Sequence, residues 1–381
     1  MARVEVKPDL LKWACDRSGQ SRVDLLAKHP QLNSWIVGQT KPTLNQLEKF
    51  AKSVHVSIGY LFLPTPPVEQ LPIPDLRTME GRGVRQPTPD MRDVIYLCQR
   101  RQDWYRDYAR HMRESTLAFI GSATLNSTVE SVARDMQLVL DFTVQARQSC
   151  ATATDALRLF VAHAEASGVL VMVSGVVGNN GNRTLNPDEF RGFALSDPLA
   201  PLIFINSVDS KSAQMFTLAH ELAHLWLGES AISNVSLNTK FLSNRTEVWC
   251  NRVAAEFLVP LTELKSVEFD DPIEQLKDIA RTFKVSSLVI LRRLLDARMI
   301  TQDQFDDAYS NEMHRLAASK PKKPGGSFYK TLRVRVGKRF GSALVESTLE
   351  GNTLYRDAFQ LLGINKGETF RGFGKVLGYD S

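Results

Sequence analysis

The run Ala219-His220-Glu221-Leu222-Ala223-His224-Leu225-Trp226-Leu227-Gly228 decides how the rest of the chain is read. Its pattern is HExxH. On an α-helix, positions i and i+4 stand one turn apart on one face, so His220 and His224 can offer two imidazole nitrogens to a single metal ion. Glu221 follows about 100° round the helix, beside such an ion, where a carboxylate can take a proton from water. The flanks suit a helix: Asp209, Ser210 and Ser212 are N-cap residue types, and Gly228 can end it in the left-handed conformation. Leu218, Leu222, Leu225 and Trp226 make most of the remaining surface apolar, so the two histidines should be partly buried and need a polar partner. The competing interpretation is an amphipathic helix with two surface histidines.

A zinc ion held by two histidines needs a third protein ligand, with a fourth position left open for chemistry. The stretch Thr246 to Pro260 reads as a second helix, on which Glu247 and Asn251 share a face. Glu247 is the expected third ligand and Asn251 its support. Glu256 competes with Glu247, because nine residues on it lies about 180° round the helix and the two cannot both face the metal. Cys250 is a candidate alternative ligand, weighed against a small core residue. A His or Tyr that could stabilise an oxyanion cannot be placed.

The chain has 381 residues, 43% of them hydrophobic and 23% charged, enough apolar mass for two or three cored domains. No stretch approaches the roughly 18 apolar residues of a membrane span, so a cytoplasmic protein without a membrane partner is expected. Cys15, Cys98, Cys150 and Cys250 show no CxxC spacing, which argues against a disulfide framework or a thiolate zinc knuckle. Lys and Arg total 47 against 42 for Asp and Glu, a net +5 that permits a nucleic-acid or acidic partner without requiring one.

Short helices are expected in the first segment, and Leu44, Leu47, Phe50, Ala51 and Val54 form an amphipathic repeat behind an N-cap at Thr43. Prolines 64, 66, 67, 72 and 74 then mark a linker. Helical periodicity returns from about Pro89, where Arg92, Arg100, Arg101, Arg106, Arg110 and Arg113 alternate with aromatics; a solvated connecting face is expected rather than a nucleic-acid surface. Apolar runs at 168–178, 193–195 and 202–205 read as strands, and Leu202 to Asn206 is expected to be an edge able to hold an extended substrate. The block Leu276 to Leu295 looks like helix, turn, helix; packing explains it better than phosphate contact by Arg292, Arg293 and Arg298. From Ser319 to Val345 there are eight Lys or Arg and no acid, the mark of a basic tail for a partner or nucleic acid.

The run His220 to Gly228, followed by Glu247-x-x-Cys-Asn251-x-x-Ala-Ala255-x-Phe-Leu-x-Pro260, resembles the ImmA/IrrE family of metallopeptidases. Gly175-Val-Val-Gly-Asn-Asn180, Asp188-Glu-Phe-Arg-Gly-Phe193, Ile203-Phe-Ile-Asn206, Glu346-Ser-Thr-Leu-Glu-Gly351 and Leu354-Tyr-Arg-Asp357 extend the resemblance to the version fused to an N-terminal Xre-type helix-turn-helix. The resemblance implies zinc as cofactor, His220, His224 and Glu247 as ligands, and Glu221 as general base. It also implies a regulator that cleaves or antagonises a partner regulatory protein, a repressor or a toxin, with DNA as a further partner and oligomers within reach. The alternative is a non-proteolytic antitoxin or repressor component of a toxin–antitoxin or phage and mobile-element module, gripping its partner through the zinc domain.

The expected fold is α+β: an all-α helix-turn-helix bundle (1–67), a linker (68–88), a helical connector (89–150), a zincin-like domain (151–265), a helix-turn-helix-like extension (266–318) and a basic hinge with a C-terminal segment (319–381). Trp35, Gly38, Pro42 and Leu47 stand where Xre-type units carry their core Trp and turn. Only seven residues separate Ala27 from Trp35, Pro30 among them, so the recognition helix should be short. Lys28, Gln31, Asn33, Ser34 and Lys41 are the candidate DNA contacts, set against a degenerate unit kept for dimerisation or docking.

Overall fold

The computed structural model describes residues 3–67, 73–74, 87–233, 244–268, 270–318 and 327–379. Most of the expected linker and the basic hinge at 319–326 lie outside the described residues. The chain divides into two compact units, one formed by described residues 3–67 and 87–95, the other by 73–74 and 96–379.

The first unit is a bundle of short helices: α1 (Pro8–Ser18), α2 (Arg22–Lys28), α3 (Leu32–Ile36) and α4 (Leu44–Ser53), then a 3-10 turn at Ile58–Phe62. Ser21 caps α2 by accepting from the Asp24 amide. Thr43 and Gln46 form the reciprocal capping box of α4. Leu10, Leu11, Leu25, Trp35, Leu47 and Phe50 meet in its core. Helix α3 has only five residues, less than two turns.

Helix α5 (Pro89–His111) leads into the second unit, where α6 (Val129–Leu140), α7 (Val144–Gln148) and α8 (Ala153–Ala166) precede a small sheet. Its strands are β1 (Leu170–Ser174), β2 (Gly192–Leu195) and β3 (Leu202–Asn206), then, after helix α9 (Lys211–Leu227), β4 (Ala231–Ser233). Among the described residues the order is β1-β3-β2-β4, with β1 and β3 parallel and the other pairs antiparallel. The expected edge at Leu202 to Asn206 is therefore corrected: β3 is central, and its ladders to β1 and β2 leave no free backbone for a substrate strand. At the β4 edge, the Ile232 amide donates to the Pro74 carbonyl (3.1 Å).

Every residue of β1, β2 and β3 is buried, as strands covered on both faces must be. One face places Val171, Val173, Ala194, Ile203 and Ile205 in a core shared with α6, α8, α9 and α10 (Arg245–Leu258). This core continues through α11 (Leu261–Lys265), α12 (Leu276–Phe283), α13 (Ser287–Asp296) and α14 (Gln302–Ala318).

The other face carries Met172, Phe193 and Phe204, with the two rings stacked at 5.1 Å. It is covered by α5 and by a layer built from the expected tail: α15 (Phe328–Val336), α16 (Lys338–Leu349), α17 (Tyr355–Leu362) and α18 (Gly367–Leu377). Arg101 of α5 is buried against the Met172 sulfur and donates to the Leu361 carbonyl (2.9 Å). Arg335 donates to Asn179, and Arg339 meets Tyr105 and Glu114. These residues of the basic run thus turn inward to pin the layer, and Arg92 and Arg101, expected on a solvated face, are buried.

Candidate metal centre

Helix α9 starts on Ser210, which accepts the Ala213 amide, and ends at Gly228, whose φ of 73° fits a residue without a Cβ. Every residue from Gln214 to Trp226 is buried, so the helix runs through the core. Its far end is fixed by Trp226, which donates to Asp135 (2.7 Å) and stacks on Phe119.

His220 and His224 bring their Nε2 atoms to 3.1 Å from each other. Helix α10, capped by Asn244, lays Glu247 across both, with carboxylate oxygens 3.3 Å from His220 Nε2 and 3.1 Å from His224 Nε2. The close approach of the helices is allowed by Ala219 and Ala223 on α9 and by Cys250, Ala254 and Ala255 on α10. Among the described residues this is the one His, Cys, Asp or Glu cluster with ligand atoms close enough to hold an ion.

The donor set fits a metal. Ligands about 2.0–2.1 Å from a tetrahedral zinc stand about 3.3 Å apart, close to the separation of the two imidazole nitrogens and to that of each from its nearer Glu247 oxygen. The electrostatics fit as well. Burial works against charge on His220, but the Glu247 carboxylate, helped by Glu221 and Asn251, outweighs it and raises its pKa. Burial dominates at His224 and lowers its pKa. Burial would raise Glu247, yet the two imidazoles hold it down to about 2, so it stays anionic beside them.

The other candidates separate cleanly. Asn251 is buried with its side chain close enough to His220 to favour the charged ring. Glu256 points elsewhere, locked in a buried pair with Arg293 and accepting the Leu261 amide. Cys250 is fully buried outside the cluster, its thiol pushed well up by burial and then by Glu247 and Glu221. Cys250→Ala should therefore leave one zinc per chain, measured by elemental analysis after gel filtration; loss of zinc would restore the thiol as a ligand.

Two buried arginines secure the end of the helix that carries Glu247. Arg147 donates to the Leu258 carbonyl, and Arg293 to the Val259 carbonyl (2.9 Å) as well as to Glu256. Both cap the negative end of α10. Arg293 is thus a core cation, in line with the packing explanation of this block. Arg293→Ala should destabilise by about 3–5 kcal/mol in urea unfolding, because Glu256 would stay buried without its cation; a loss under about 1 kcal/mol would show the pair to be dispensable.

In the first unit, the expected DNA contacts are engaged by neighbours: Lys28 with Gln20, Gln31 with Gln46, Asn33 with Arg22, and Lys41 with Glu5. Ser34 is half-buried and its carbonyl accepts the Thr40 amide.

A mixed sheet with a buried helix bearing two histidines, closed by a carboxylate from the next helix, thus frames a candidate metal site. Residues 164–295 match the IrrE N-terminal-like domain of the peptidase M78 family, in agreement with the ImmA/IrrE resemblance over that stretch. Residues 336–375 match a domain of unknown function, DUF8813. No curated protein matches the chain.

Proposed function

We propose that this protein is a zinc-dependent endopeptidase-type regulator that cleaves or antagonises a partner regulatory protein. The observation that carries the reading is the convergence of His220, His224 and Glu247 with Glu221 on the adjoining helix position, all in the core. Zinc suits the two-imidazole, one-carboxylate set. When bound, it would supply a Lewis acid for a peptide carbonyl and make water more acidic. Glu221 then takes the proton from the attacking water and returns it to the leaving amine. Asn251 keeps the His220 ring in place, and Glu247 contributes the charge that makes the pocket cationophilic. The substrate is proposed to be a repressor or toxin encoded beside this chain.

The burial of all four residues favours a second reading, a non-proteolytic antitoxin or repressor that grips its partner through this domain. Incubating the zinc-loaded chain with the product of the neighbouring gene distinguishes them. Cleavage that stops on chelation and returns with zinc supports the peptidase; a stable complex without cleavage supports the second reading.

The N-terminal unit is proposed to be a helix-turn-helix bundle, with Lys28, Gln31, Asn33, Ser34 and Lys41 meeting DNA. Its five-residue α3 and engaged side chains make docking the stronger role. A gel shift that fades as salt rises would support DNA contact, and none at low salt would leave docking alone. Among the described residues no helix is long and apolar enough to cross a membrane, which agrees with a proposed cytoplasmic location.

A further inference from the structure

Helix α9 sets where Glu221 starts, but the helix alone does not fix where its carboxylate ends. Gly192, the first residue of β2, passes directly against it. A Cβ at Gly192 would lie 3.0 Å from Glu221 Oε1, 2.6 Å from Thr217 Cγ2 and 2.9 Å from the Phe204 carbonyl oxygen. The first of these distances is tight enough to make the carboxylate give way by a few tenths of an ångström, and the other two are too short for a real side chain. Thr217 and Glu221 are four residues apart, so one face of α9 is pressed against this single position.

The need for glycine here is spatial. Gly192 is not among the glycines with positive φ, so an alanine could adopt its backbone. The strand cannot retreat to make room either, since Gly192 is in register with Ile205 on one side and Ser233 on the other. Removing this strain would break a ladder on both sides of β2.

We propose that Gly192 is the positioning residue for Glu221: its missing side chain leaves the space the carboxylate fills, and the β2 backbone forms the wall that aims it. This rests on Glu221 being the proton carrier. A one-methyl wall moved towards Glu221 displaces the carboxylate while His220, His224 and Glu247 keep their places, because none of these three is among the nearest atoms to the added methyl. The motif Arg191-Gly192-Phe193 thereby acquires a role that its apolar strand pattern does not suggest.

The test uses the full chain with Gly192→Ala, Thr217→Ala and the double variant, each zinc-loaded. Thr217→Ala removes the nearest clash, so the double variant is the informative one. It should melt below Thr217→Ala, because the Phe204 carbonyl still meets the added methyl, yet hold the same zinc, and its crystal structure should show the Glu221 carboxylate displaced. Its kcat on fluorescein-labelled casein should fall severalfold or more relative to Thr217→Ala, short of the roughly 100-fold that a full 1 Å misplacement produces, with KM within about threefold. In a Glu221→Gln background the same change should cost nothing further. A carboxylate still in its original place overturns the proposal, as does a loss of kcat that persists in that background. Failure of the double variant to fold also overturns it, since the glycine would then be a packing requirement. If the unaltered chain leaves casein uncut, the peptidase reading fails on this substrate, and the position of the carboxylate alone decides the role of Gly192.

Discussion

Replacing Glu221 by Gln should leave one zinc per chain and lower kcat by about 10²–10⁴-fold, the range that a positioned general base contributes. Gln fills the same volume against Thr217 and Gly192, so the fold around α9 has no reason to change. It keeps an oxygen acceptor but cannot hold a transferred proton. KM should move little, because Glu221 is placed to act on water rather than to grip the polypeptide. Kinetics with the neighbouring gene's product, together with elemental analysis, checks both halves of this result. Undiminished cleavage would remove Glu221 from the proton path, and unchanged biological activity in a variant that has lost cleavage would move the protein to the non-proteolytic class.

Glu247→Ala should have the larger effect on the metal. The carboxylate faces both Nε2 atoms and is the one strongly anionic group of the cluster, so without it two imidazoles remain on a single helix. Zinc affinity should fall by more than the roughly 10–100-fold that loss of an outer partner costs. The unaltered chain should gain about 4 kcal/mol of stability at a free zinc concentration 1,000 times its dissociation constant, and the variant should show no such gain. Thermal melts with and without zinc read the difference directly. A variant that still carries one zinc through gel filtration would show that another residue completes the site. Glu256→Ala is the counterpart: it should lower stability and leave zinc content alone, because Glu256 belongs to Arg293.

What could be read from the sequence was what local geometry controls. His220 and His224 are set by one helical turn, and helix phase allows only one of Glu247 and Glu256 to face them; what removes Glu256 is its buried pair with Arg293, which the sequence does not show. The caps at Ser210, Thr43 and Gly228 were likewise visible, because a cap is a contact over three or four residues. Strand order was not visible. Leu202 to Asn206 has the same apolar composition whether it lies at an edge or in the centre, and only pairing with Leu170 to Ser174 and Gly192 to Leu195 places it in the middle. Arg335 and Arg339 looked like surface charge because their partners, Asn179, Tyr105 and Glu114, are over 150 residues away in the chain. Gly192 gave no sign of its role, since a glycine required for space carries no local signature.

The helical layer over Met172, Phe193 and Phe204 has a consequence for the order in which the molecule can be made. Arg101 reaches the Leu361 carbonyl across 260 residues of chain, so the sheet is translated long before its second cover exists. At about 5–20 residues per second, the ribosome needs on the order of ten to thirty seconds between the end of β3 and the end of α18. In the last part of that interval, after α14 has been made, a nascent chain carries a sheet with one face finished and a pair of stacked phenylalanines covered by α5 alone. Such a surface is a natural client for a chaperone, and it makes premature termination in the last fifty residues more damaging than their distance in sequence from the histidines implies.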